Sequence, residues 1–194
     1  WDVQPVCGPE EGIVDECCYV LKLGVICEGR PLRVDGTPTL ADVTERDDWT
    51  MSLSLDVLAL SMGQRLFLAK LWRASGQAEH ASVAAFARVS LELMALGAPA
   101  DLLTEVQLAM GDEIEHAKLC FGIASTLLGE GVGPAAFPQA LAGGELCVET
   151  LLMGIVLDGC INETIAAALA FAESNCASSS SLHRGLAKLS ADER

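Results

Sequence analysis

The chain has 194 residues, 51 % of them hydrophobic but only 5 % aromatic, and a formal net charge of -15. That length allows one sizeable core with a small appendage and leaves no room for a second full domain. The acidic balance repels nucleic acid and anionic membrane surfaces at long range, so neither is expected as a partner, and a mean hydropathy of +0.38 favours helices packed on helices over a sheet sandwich.

The sequence opens on Trp1 rather than Met, which predicts a processed start. Cys7, Cys17, Cys18 and Cys27 crowd a stretch of Gly, Pro and acidic residues that holds little apolar material. Disulfides are the expected way to hold such a segment, and they imply a secreted, extracellular or periplasmic location. Zinc is the competing reading, weakened because the spacing has no paired C-x2-C knuckles. Residues 1–50 are therefore expected to form a small disulfide-rich β module, with "CCYVLKLGVIC" (17–27) as one strand, "RPLRVDG" (30–36) as a second and "DGTP" (35–38) as a turn. "TERDDW" (44–49) reads as a polar connector to the remainder, 51–194.

From Ser61 the pattern becomes helical. "SMGQ" (61–64) has the form of a capping box, and the first helix is predicted to run from there to a stop at Gly97, about 50 Å at 1.5 Å per residue. Gly76 is a weak point inside it. Pro99 suits the first turn of a second helix that continues to Leu128 before Gly129. "GEGVGPAAFPQA" (129–140), with its Gly and Pro residues, cannot be helical and is expected to be a crossover. A third helix is predicted over about 140–172, and a short fourth from the Ser-rich loop "NCASSSS" (175–181) to Arg194. The run "LLMGIVL" (151–157) is stopped by Asp158, so no membrane span is expected.

The motif that points to chemistry is "GDEIEHAKLCFGIAS" (111–125), which puts Glu113 and His116 on one helical face. Dinuclear carboxylate sites in four-helix bundles take one Glu from each of two helices and a Glu-x-x-His from each of the others. Register supplies further members. In an antiparallel hairpin centred on Gly97, Glu79 and Glu113 fall level to within about 3 Å of helical rise. Glu163 and Glu193 lie symmetrically about position 178, in the Ser-rich loop. Glu79 is followed by "HASVAAFA" and Glu163 by "TIAAALAFA", so both acids sit in small, apolar surroundings where an uncompensated charge is costly. His80 points about 100° away from Glu79 and is read as a supporting or surface residue, while Asp112 and Glu115 face outward. Cys120, Cys147, Cys160 and Cys176 read as small apolar residues of helices or their ends.

Residues 77–194 resemble ferritin-like domains. The segments "EHASVAAFARVSLELMALGAP" (79–99), "DEIEHAKLCFGIAS" (112–125) and "GCINETIAA" (159–167) are similar to a myxobacterial type of ferritin-like protein, some of which carry a Cys-rich leader like "CCY…C…GRPLRVDG". The resemblance implies a ferritin-like four-helix bundle in which Glu79, Glu113, His116, Glu163 and Glu193 ligate two metal ions, iron foremost, with manganese or zinc as alternatives. The His that completes the second Glu-x-x-His would follow Glu193 by three residues, past Arg194. The fourth helix is accordingly expected to be truncated in this chain, either because the chain is a portion or cleavage product of a longer one, or because a neighbouring chain, in a homo-oligomer or otherwise, completes it. Two functions follow from these readings: a di-iron type oxidase or ferroxidase, or a secreted structural protein that uses the bundle as a scaffold.

Overall fold

The computed structural model describes residues 4–13, 16–22, 30–34, 36–138, 148–177 and 180–192, with backbone alone for 4–13, 16–22, 150 and 158. The protein is mainly helical, with short two-stranded pieces of sheet among the described residues. Strands β1 (Gln4–Ile13) and β2 (Glu16–Lys22) pair antiparallel, Cys7 opposite Val20 and Glu10 opposite Cys18. The alternation in "CCYVLK" is visible in the sequence; β1, broken by Pro and Gly, is not. The disulfides expected at Cys7, Cys17, Cys18 and Cys27 involve side chains outside the described residues, as does Cys147. Cys120, Cys160 and Cys176 are free thiols.

Strand β3 (Arg33–Val34) lies within the predicted second strand, and its antiparallel partner β4 (Thr37–Pro38) takes up the second half of the predicted turn, after Gly36 with a φ of 76° that only glycine adopts without strain. The chain then lies along the first long helix, α1 (Met62–Ala95). Leu32 N–H donates to the Ala81 carbonyl at 3.2 Å, Gln77 Nε2 to the Ala41 carbonyl at 2.6 Å and Arg88 Nη1 to the Arg33 carbonyl at 2.9 Å. Leu32 and Ala41 are buried there. The expected polar connector is in part a strand, β5 (Val43–Glu45), which pairs antiparallel with β6 (Val132–Pro134) inside the predicted crossover. The Gly-rich sequence of that crossover permits the pairing, because side chains at Gly131 and Gly133 would collide with Arg46 and Asp47.

Helix α1 starts as predicted. Ser61 Oγ accepts from Gln64 N–H at 3.3 Å and Gln64 Oε1 accepts from Ser61 N–H at 2.9 Å. It ends at Gly97, φ 73°, where Ala98 N–H reaches back to the Leu93 carbonyl at 2.9 Å. Pro99 caps α2 (Ala100–Leu128), which ends on left-handed Gly129. The two helices run antiparallel: Arg65 Nε bonds the Leu127 carbonyl at 2.9 Å, Gly76 faces Phe121, and Gln107 Nε2 donates to Ser90 Oγ at 2.9 Å. Gly76 is therefore no defect. A Cβ there would stand 3.0 Å from the Phe121 ring, so the small residue allows close approach of the helices.

The second half is a continuous helical run of α3 (Val148–Gly154), a π-helical segment (Ile155–Asn162) and α4 (Glu163–Cys176), followed by α5 (Ser180–Asp192) packed against α4. The start predicted near 140 lies outside the described residues. The π segment is not readable from periodicity, since it inserts residues without changing composition. A shared core of Ala69, Leu119, Ile123, Leu127, Ala170 and Leu189 joins both halves, and the partly buried Met51, Leu53, Leu55 and Val57 pack against it. Burial of each large aliphatic side chain there is worth about 1.5–3 kcal/mol. The helix Leu151–Cys176 runs through Asp158 and has a window of mean hydropathy 1.6 with 18 % of it buried, so by length and composition it is apolar enough to cross a membrane. Core helices of soluble proteins pass the same test.

Candidate metal centre

The middle of the α1–α2 hairpin carries the one group of side chains among the described residues that can hold a metal ion. Glu79 on α1 and Glu113 and His116 on α2 bring one ligand atom each to within 4.8 Å of one another. Glu113 and His116 are three positions apart, less than one turn, so both project from one face of α2 toward α1. Small neighbours let the backbones approach: Ala78, Ala81, Ser82 and Ala117 are all buried around them.

Glu113 and His116 are each only 3 % exposed. His116 Nδ1 stands 3.9 Å from Glu113 Oε2 and 4.0 Å from Glu79 Oε2. Those separations are long for hydrogen bonds. They suit donors around a common ion, because metal–ligand bonds of roughly 2.0–2.2 Å place two ligands about 3–4.4 Å apart. Two carboxylate oxygens and an imidazole nitrogen suit iron, manganese or zinc. The opposite ring nitrogen, His116 Nε2, is 3.2 Å from Asp192 Oδ2 on α5.

Asp192 was not among the sequence candidates. Its signal there is slight, an acid next to the candidate Glu193 and four residues after Lys188, whose ammonium also bonds it. Partial burial works to raise the Asp192 carboxyl, but the hydrogen bonds from Lys188 and His116 outweigh it and hold the group below the usual carboxylate range. Cys120, one turn beyond His116, is fully enclosed. Burial, reinforced by the charges of Glu79, Glu173 and Glu113, pushes its thiol well above the ordinary range, so it stays protonated and packs as an apolar residue.

Glu163 is buried, as expected, but its ligand atom is not part of the converging group. Its Oε1 lies 3.4 Å from Arg30 Nε. Arg30 carried no signal in the sequence beyond its place in the "GRPLR" stretch. Glu193 lies outside the described residues. His80 turns its ring to the edges of Trp49 and Phe137, with centroids 4.9 and 5.7 Å away, and burial followed by the Arg46 charge lowers its pKa. His183 Nδ1 bonds the Ser174 carbonyl at 2.8 Å, tying α5 to the end of α4. Asp112 and Glu115 meet Lys188 and Lys118 nearer the surface, as their outward placement predicts.

Fold and site together define a mainly helical protein with a buried Glu–Glu–His cluster able to take a metal ion. Compared with protein-family models, with curated proteins and with solved structures, the chain matches none.

Proposed function

We propose that this is a metal-binding helical protein of ferritin-like type, whose centre is built on Glu79, Glu113 and His116. The observation that carries the reading is the convergence of two carboxylates and one imidazole inside the α1–α2 hairpin. Burial of such acids without a cation is unfavourable, whereas a divalent ion neutralises both. Asp192 orients His116, holding the proton on Nε2 so that the Nδ1 lone pair faces the ion.

The further reading is a di-iron type oxidase or ferroxidase acting outside the cytosol. Its support is the donor set together with the ferritin-like resemblance, and an ion so held would supply redox chemistry toward oxygen or peroxide. That form requires Glu163, now paired with Arg30, and Glu193 as additional ligands, and a single bound ion per chain rejects it. Metal analysis of purified protein tests the proposal. Bound iron or manganese that is lost in both Glu113→Ala and His116→Ala supports it; metal-free protein after iron-replete growth rejects it.

A second reading, a secreted scaffold that assembles through its helices, is favoured by the exposed Leu152, Met153, Val156, Leu157, Ile161 and Phe171 on one long helix. It predicts self-association that is unaffected by chelators.

A further inference from the structure

We infer that Arg30 is the resident cation of Glu163, so that the buried acids of this protein take up one divalent ion and the guanidinium stands in for a second. The inference rests on the metal reading above and adds to it the stoichiometry and the residue that sets it.

Arg30 is anchored from several sides. Its backbone N–H donates to Ser82 Oγ at 3.0 Å, its guanidinium carbon lies 4.1 Å over the centre of the Phe86 ring, and its Nε reaches Glu163 Oε1 at 3.4 Å. A Cβ at Gly159, in the π-helical segment, would come 3.3 Å from the guanidinium, so a glycine there leaves room for it. The placement is next to the metal cluster along α1. Ser82 and Phe86 follow Glu79 by three and seven residues, about 4.5 and 10.5 Å of helical rise.

Charge balance then argues for a single ion. Glu79, Glu113 and Glu163 set three carboxyl groups into the helical interior, while Asp192, which meets His116, is answered by Lys188. Arginine keeps its proton under all ordinary conditions, and it neutralises one of those three permanently. The remaining two match one divalent ion held by the Glu79, Glu113 and His116 donors. A second ion on Glu163 would have to displace the guanidinium from a carboxylate only 5 % exposed, or sit beside it against repulsion. The opposing electrostatics leave Glu163 as an ion-pair partner rather than a ligand.

The test uses the full chain loaded with manganese(II), read by metal-to-protein ratio after equilibrium dialysis and by electron paramagnetic resonance. The wild type is expected to hold one manganese per chain with the spectrum of an isolated ion, and Glu163→Gln is expected to retain that ion with its affinity unchanged. Arg30→Gln, which frees the Glu163 carboxylate, is expected to take up a second equivalent. Two manganese ions per wild-type chain with an exchange-coupled spectrum, loss of the ion in Glu163→Gln, or a folded Arg30→Gln still limited to one ion, each overturn the inference while leaving metal binding intact. No manganese in any variant overturns the metal reading and this inference with it. Glu163→Gln keeps the size and shape of the side chain, so it carries the test even if Arg30→Gln does not fold.

Discussion

His116 Nε2 lies 3.2 Å from Asp192 Oδ2, and this contact ties the last helix to the middle of the α1–α2 hairpin. It also decides which ring nitrogen faces Glu79 and Glu113. A carboxylate behind a ligating histidine raises its basicity and fixes its tautomer, and removal of such a partner commonly costs about 10–100-fold in metal affinity. Asp192→Asn is therefore expected to weaken metal binding by about that factor while leaving the helical content unchanged. Competition against a chromophoric chelator measures it, and affinity equal to wild type removes Asp192 from the site.

Metal binding and folding are linked, because an ion that binds the assembled cluster and not the unfolded chain stabilises the fold by mass action. At a free metal concentration a hundred times the dissociation constant the gain is about 2.7 kcal/mol. The wild-type melting temperature is expected to rise with added manganese or anaerobic ferrous ion. Glu113→Gln, which keeps the buried volume but removes one ligand charge, is expected to abolish the rise. Equal thermal shifts in both proteins place the binding elsewhere.

Two glycines on α2 separate backbone propensity from packing. At Gly111 an added Cβ meets nothing within 4 Å, so Gly111→Ala is expected to stabilise by about 0.5–1 kcal/mol through helix propensity. At Gly122 the same Cβ would stand 2.5 Å from the Met51 carbonyl oxygen, and backbone has to move. Gly122→Ala is expected to destabilise by about 1–3 kcal/mol despite its better propensity. Denaturant unfolding of the pair gives opposite signs if the 51–57 segment packs on α2 as described.

His80 supplies a pH dependence. Burial against Trp49 and Phe137, and secondarily the Arg46 charge, lowers its pKa below the ordinary 6.5. The unfolded chain then binds the proton more readily than the folded one. Stability from this residue is fully present above about pH 6.5 and is lost as pH falls through the lower folded value. His80→Phe is expected to flatten that part of the stability profile, measured by urea midpoint between pH 7 and pH 5. An unchanged profile assigns the effect to other groups.

Much of the helical half was legible because its signals are local. The capping box at Ser61 and Gln64, the left-handed stops at Gly97 and Gly129, and the Glu113/His116 spacing each depend on neighbours within a turn or two. Equal distance from the Gly97 turn was enough to bring Glu79 level with Glu113, since an antiparallel hairpin converts sequence separation into height. The pairing of β5 with β6 and the π-helical segment before Glu163 left no such trace. One depends on strands some ninety residues apart, and the other on a change of hydrogen-bond register that composition does not record.

The sequence by itself pointed to Glu79 and Glu163 as acids set in apolar helix, and to Glu79 standing level with the Glu113 and His116 pair. Only the tertiary structure decided what answers each buried charge. Asp192 reaches His116 from α5, and Arg30 reaches Glu163 from far upstream in the chain. Neither partner is near its target in sequence. An ion pair depends on distance in space, which only the packing of separate elements sets.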